Sequence, residues 1–365
     1  MNFATARFAP VRELFDSMLD ADPSYSAQLA VYVDGVKTVD LIAGPDCAAD
    51  SMTGIFSASK GVAALAFSLL VQDGLIDVDA TVATYWPEFA QHGKGSLTVR
   101  QLLSHQSGLV GVQGGFAMED YNDPAAVAQR LANMVPLWRP GSGTFGYHAL
   151  TMGVFLEELC RRVSGVRLQD LYNDRIRVPY NADVYLGLPA SEEPRFRAVR
   201  YVQEEAGFLD PHSVAGVSAN VQAGNLLELP NIRSVRAAGS CSGAGVGSAH
   251  GLARVYAGAI SEVDGLPAYL SPATIAIMGQ EQVWGLDRVF CDTGAFALTF
   301  MKPHPRMDFG SAEAFGHDGA NGSLGFADPL YGIGFGYIPA WNEDSGTAGR
   351  GMQLSAAVRR AILAG

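Results

Sequence analysis

Apolar residues at Val62, Leu65, Ala66, Leu69 and Leu70 recur at helical spacing, and Gly74 stands where such a helix would stop. The helix opens at Phe56-Ser57-Ala58-Ser59-Lys60-Gly61. Upstream, Val11, Leu14, Phe15 and Met18 predict an amphipathic helix over residues 10–19. Residues 28–33 and 36–43 read as strands joined by Asp34-Gly35, a strong two-residue hairpin signal. Helix, hairpin, helix predicts an antiparallel sheet with helices packed on it, not a run of parallel units.

Between residues 97 and 200 the pattern is mostly helical. Thr98 is a helix N-cap for residues 99–105, with Gly108 ending that helix; residues 124–134 follow as another. Met152, Phe155, Leu156 and Leu159 mark a helix over 150–163. Residues 201–238 show no periodicity and are expected to wrap the surface, and a helix resumes over 249–260. Strand-like pieces return at 296–300, 325–327 and 331–338, before a last helix over 352–363. Sheet material at both ends and helices between them predict an α/β (α+β type) architecture. Residues 1–80 and 235–365 would form the sheet lobe and 81–234 a helical lobe, with the active site between them.

Composition narrows the function. The chain has 365 residues, 48% of them hydrophobic and only 17% charged, the profile of a packed enzyme. A net charge of −12 without any basic run argues against nucleic acid and anionic membranes. No secretory signal pattern or 18-residue apolar stretch is found, so a cytoplasmic protein is expected. The four cysteines (Cys47, Cys160, Cys241, Cys291) form no ligand pattern, and the seven histidines have no metal spacing, so no metal or other cofactor is expected. Homo-oligomerisation is left open.

Ser57 and Lys60, three apart in the first helical turn, share a face. The unpaired N–H groups of a helix start favour negative charge there, and the amine can take the hydroxyl proton. Together they form an activated nucleophile. Two other motifs are set aside. Gly239-Ser240-Cys241-Ser242-Gly243 has the form of a nucleophile elbow but lacks a preceding strand. Gly332, Gly334 and Gly336 lie within a strand pattern, unlike a dinucleotide fingerprint.

Around that turn the chain resembles the serine β-lactamase and penicillin-binding-protein superfamily, in the class C-like branch that holds family VIII carboxylesterases. Four ordered blocks carry the resemblance: Phe56 to Asp77, Thr98 to Leu109, Pro140 to Ala149 and Phe315 to Ser323. It implies a β-lactamase/transpeptidase-like fold, Ser57 as nucleophile, Lys60 as proton partner and Tyr147 as general base or relay. It places the oxyanion hole at the Ser57 and Ala320 backbone amides, and His317, Gly319 and His148 at the substrate. His317 is expected to donate a hydrogen bond to substrate or to Tyr147. Lys60 is expected to be pushed toward neutrality, and Tyr147 to ionise more easily beside its charge. Trp86, Phe116, Trp138 and Phe145 are expected to line the pocket.

Two departures matter. The family's Tyr-x-Asn reads Tyr147-His148-Ala149, and its Lys-Thr-Gly reads His317-Asp318-Gly319. Both lose contacts that serve β-lactams, so a small-molecule carboxylic ester is the expected substrate. Within the fold, an acyltransferase, a D-aminopeptidase or a β-lactamase is the alternative; outside catalysis, a penicillin-recognising sensor or assembly module.

Overall fold

The structure is a computed structural model that describes residues 2–200, 210–220, 226–342 and 349–364. The first strands are β1 (Phe3–Ala4), β2 (Ala27–Val33) and β3 (Val36–Ala43). Asp34 and Gly35 both have positive φ (49° and 76°), as the tight turn between β2 and β3 requires. Short strands β4 (Thr53–Gly54), β5 (Val184–Tyr185) and β6 (Val246–Gly247) make a separate three-stranded sheet. A hairpin of β7 (Val283–Asp287) and β8 (Asp292–Phe296) precedes β9 (Phe315–Asp318), β10 (Leu324–Asp328) and β11 (Ile333–Pro339). The main sheet runs β1-β3-β2-β11-β10-β9, antiparallel throughout. Strands from the two ends of the chain therefore meet at its centre.

Helix α1 (Ala9–Ala21) precedes β2 and α2 (Ala58–Gln72) follows β4. The middle holds α3 (Val82–Tyr85), α4 (Val99–Leu103), α5 (Pro124–Asn133), α6 (Thr151–Ser164), α7 (Leu168–Tyr172), α8 (Val214–Ser218) and α9 (Arg233–Ala238). Then come α10 (Ala249–Ile260), α11 (Pro272–Gly279) and α12 (Arg350–Leu363). Alternation along β2 sorts the core. Leu29 and Val31 pack with α1 and α12 (Phe15, Leu354, Val358), while Ala30 and Tyr32 face α10 (Ala253, Tyr256). The strand glycines have a packing reason. A Cβ on Gly334 would lie 2.5 Å from the Ala257 nitrogen, and one on Gly336 2.3 Å from the Ala249 carbonyl oxygen. Without side chains there, α10 rests directly on β11.

Helix α2 is buried on every side from Ala58 to Leu70, a central helix and not an amphipathic surface one. Thr98 caps α4 in a reciprocal box with Gln101, although the helix ends at Leu103. Two expectations change. Residues 296–300 are not a strand: β8 ends at Phe296, Ala297 N–H donates to the Phe300 carbonyl, and Thr299 has φ 70°. A buried apolar run has no periodicity to tell a strand from a packed turn. Of 201–238, residues 201–209 and 221–225 lie outside the described residues. The rest includes α8 and α9, and Leu229 and Val235 are buried in the core.

Candidate active site

The turn before α2 is held in an unusual backbone shape. Phe56 has φ 46°, and Ile55 N–H donates to the Gly245 carbonyl at 3.0 Å. Ser57 is the N-cap residue of α2 and is half-buried; Lys60, one turn on, is wholly buried. Lys60 Nζ lies 3.0 Å from Ser57 Oγ and donates to the Ser242 carbonyl at 2.6 Å. It also sits 5.0 Å from the centroid of the Tyr147 ring. Burial lowers the Lys60 pKa to about 7, against the opposing charge of Asp318. A large fraction of the amine is therefore unprotonated near neutrality, with a lone pair for the serine proton.

Tyr147 comes from the loop before α6, and its backbone is clamped. The His105 carbonyl accepts Gly146 N–H at 3.2 Å, and His105 Nδ1 accepts His148 N–H at 3.0 Å. Ser218 Oγ donates to the Tyr147 carbonyl at 2.9 Å. Burial raises the Tyr147 phenol pKa well above its ordinary value, and a hydrogen bond with Ser57 only partly offsets this. The expected easier ionisation is not found: with Lys60 itself near neutral, desolvation outweighs attraction. In the resting site Tyr147 is held as a neutral hydroxyl.

His317 stands on β9 with its ring wholly buried and its Nε2 3.5 Å from Tyr147 Oη. Its Nδ1 is 2.7 Å from the Asp318 carbonyl oxygen, which accepts only, so the ring proton is assigned to Nδ1 and Nε2 is an acceptor. Burial and the nearby Lys60 lower its pKa to about 3. The expected donor is thus a neutral acceptor that orients the Tyr147 hydroxyl.

Beyond β9 the chain turns tightly, Gly319 N–H donating to the Ser323 carbonyl and Gly322 N–H to that of Gly319. A Cβ on Gly319 would fall 2.4 Å from the Ile55 carbonyl oxygen, so only glycine lets this turn reach the one carrying Ser57. Asn321 Nδ2 fastens it, donating to the Gly54 carbonyl at 3.1 Å. Among the described residues no backbone carbonyl accepts from Ser57 N–H or Ala320 N–H. Two free amides thus accompany the half-buried hydroxyl, and an acyl oxygen between them would be stabilised as it becomes negative.

His148 is not part of this group. Its Nδ1–H donates to the Gly146 carbonyl at 2.8 Å and its Nε2 accepts from Ser107 Oγ at 2.6 Å, leaving no ring atom for a substrate. The four aromatic residues expected at the pocket are placed as follows. Trp86, Phe116 and Phe145 are buried against Phe89, Tyr121 and Phe296, and Trp138 Nε1–H donates to the Gln106 carbonyl. Phe290, half-exposed on the β7–β8 hairpin, stacks on Tyr147 (4.9 Å, 23°).

The residues that sequence reasoning missed are Ser242, Asn321, Asp318, His105 and Phe290. Asn321 and Asp318 lie in the segment 315–323 and His105 in 98–109, where the resemblance assigns them no role. Ser242 lies in the glycine-rich loop set aside as an elbow. Its carbonyl holds Lys60, and its Oγ accepts Gly153 N–H and donates to the Leu150 carbonyl. Cys241 beside it is sealed in, its thiol pKa raised well above normal by burial and the neighbouring Glu157, which makes it a poor nucleophile. Among the described residues no cluster of His, Cys, Asp or Glu could hold a metal ion, and no helix is long and apolar enough to cross a membrane.

The comparisons extend this geometry to known proteins. The chain is 33% identical to the esterase/beta-lactamase LipL of Mycobacterium tuberculosis, over 92% of its own length and 81% of the relative's. It superposes on EstA from Arthrobacter nitroguajacolicus Rue61a with a TM-score of 0.97 at 52% identity, covering 99% of this chain and 98% of that one. For a family VIII carboxylesterase the TM-score is 0.90 at 30% identity, with 99% of each chain covered. The Beta-lactamase family model matches residues 11–356, from α1 to α12 and through every element that carries the serine, lysine and tyrosine cluster. This chain belongs to the beta-lactamase family, on the family VIII branch of the serine β-lactamase and penicillin-binding-protein superfamily.

Proposed function

We propose that the protein is a serine carboxylesterase that cleaves small or medium acyl esters through an acyl-enzyme on Ser57. The observation that carries this reading is the contact between Ser57 Oγ and a buried Lys60 amine near neutrality. Ser57 O–H gives its proton to Lys60 Nζ as Oγ attacks the ester carbonyl. The tetrahedral oxyanion receives the Ser57 and Ala320 N–H groups, each worth roughly 10²–10³ in rate. Tyr147 passes a proton to the departing alkoxide and is refilled from the Lys60 ammonium, so no free phenolate forms. Water then attacks the acyl-enzyme by the reverse proton path. The similarity to EstA, LipL and a family VIII carboxylesterase supports ester hydrolysis. No side-chain amide stands at Ala149, and His317 carries no charge to grip an anion, which favours esters over β-lactams.

The same reading puts the protein in the cytoplasm and makes the cleft the meeting place of a helical unit (81–234) and a sheet unit (1–80 with 235–365). Ser57→Ala is expected to lower kcat/KM for p-nitrophenyl butyrate by at least about 10³-fold while the fold is kept. A fluorophosphonate should add to intact protein and not to this variant. Unchanged hydrolysis by Ser57→Ala would refute the mechanism; wild type that is labelled but never turns over an ester would instead indicate a sensor.

A further inference from the structure

Beside the reacting groups lies a carboxylate for which the chemistry above has no use. Asp318 ends β9, directly after His317, and its side chain keeps 18% of its surface open. Among the described residues no other residue donates a hydrogen bond to that carboxylate; its own backbone N–H is its one donor. The only basic nitrogen within 4 Å among them is His317 Nδ1 at 3.7 Å, whose proton goes to the Asp318 carbonyl instead. Lys60 is within electrostatic range, but its amine is directed to Ser57 Oγ and the Ser242 carbonyl. A mostly buried acid with no side-chain or cationic partner in hydrogen-bond contact is an unfavourable arrangement that native proteins usually resolve by pairing. Asp318 lies within electrostatic reach of both Lys60 and Tyr147, so a substrate seated at Ser57 comes within range of its partly open carboxylate.

We propose that Asp318 is a charge-selecting residue of the cleft, which favours esters bearing an ammonium group and disfavours those bearing a carboxylate. The inference rests on the serine esterase reading and names its substrate class. Burial raises the Asp318 pKa to about 7, so in the empty cleft its charge is partly quenched; an arriving cation restores it. A carboxylate-bearing substrate meets the opposite situation, like charges brought together in a desolvated place.

The test compares substrates of one shape and different charge. Butyrylcholine and 3,3-dimethylbutyl butyrate differ only by nitrogen for carbon in the alcohol part. Ethyl 4-(trimethylammonio)butyrate and ethyl 5,5-dimethylhexanoate do the same for the acyl part. In a pH-stat at pH 8, wild type is expected to favour the cationic member of at least one pair by 10-fold or more in kcat/KM. In Asp318→Asn that ratio should collapse toward one. Because both substrates meet the same enzyme, a general loss of activity in the variant cancels from the ratio. Raising NaCl from 0.05 to 1 M should also shrink the wild-type ratio, which keeps the test valid if the variant misfolds. A wild-type ratio near one in both pairs, or one unchanged in Asp318→Asn, overturns the proposal. Neutral esters left uncleaved by wild type would overturn the esterase reading beneath it instead.

Discussion

Two histidine segments flank Tyr147, and they differ in a way that burial alone conceals. His148 follows Tyr147 in the chain; His317 faces it from β9. Both rings are completely buried, and burial lowers both pKa values to about 3. Yet His148 has both nitrogens committed to the Gly146 carbonyl and Ser107, whereas His317 commits one and keeps Nε2 toward the Tyr147 hydroxyl. A perturbed pKa marks a desolvated place, not a role. A nitrogen that meets a reacting hydroxyl, and not a structural partner, separates a working group from a strut.

The contrast can be broken most forcefully at the shared neighbour. Lys60→Met is expected to reduce kcat/KM by about 10³–10⁴ without unfolding, because the base is lost. In wild type kcat/KM should rise with pH through about 7 as Lys60 loses its proton, then level off; a flat profile from pH 5 to 9 would assign the base elsewhere. Next, His148→Ala should lower unfolding free energy in urea by about 2–4 kcal/mol, through a cavity and unpaired partners. His317→Ala should mainly reduce kcat, about 10–100-fold, with His317→Gln recovering part of it because an amide oxygen can accept from Tyr147. If both alanine variants lose stability equally and activity equally, the distinction fails.

Acid sharpens the same comparison. The folded protein holds His148, His317 and His105 neutral well below 6.5, while the unfolded chain protonates all three near that pH. The unfolded state then binds more protons, so stability falls as pH drops from about 6.5 toward 3, by up to about 1.4 kcal/mol per unit for each ring. Urea midpoints at pH 7, 5.5 and 4.5 should show this slope, reduced by about one proton in His317→Gln. The smallest effect is expected at Phe290→Ala. Removing an aromatic face from Tyr147 should lower kcat/KM about 2–10-fold, measured with p-nitrophenyl butyrate.

Much of the fold was legible where one short-range rule dominates. Asp34-Gly35 demands its turn, Thr98 and Gln101 cap each other, and the three-four spacing after Val62 marks α2. Legibility ended where long-range packing decides. The apolar run 296–300 looks like a strand until Thr299 is placed in a left-handed turn. The hairpin β7–β8 hid because its outward face carries Trp284 and Leu286, apolar residues in polar positions. In the site, motif spacing brought out Ser57, Lys60 and Tyr147. No local pattern announces that the Ser242 carbonyl, 182 positions from Lys60, will hold its amine. Nor could sequence say which histidine kept a nitrogen for Tyr147, since that depends on Ser107, Gly146 and the Asp318 carbonyl taking the others.

The pairing of β2 with β11 sets a schedule on the ribosome. Val33 lies opposite Ile333 and Ala27 opposite Pro339, so the centre of the main sheet closes only after residues about 300 positions downstream of β2 have emerged. Contacts of such separation form slowly, because loop-closure entropy must be overcome first. Ser57 is synthesised early, whereas the turn that carries Ala320 and Asn321 docks against Gly54 and Ile55 late. During synthesis the nucleophile is therefore present without its second oxyanion donor, and acyl transfer lacks that donor's share of the rate until the turn docks.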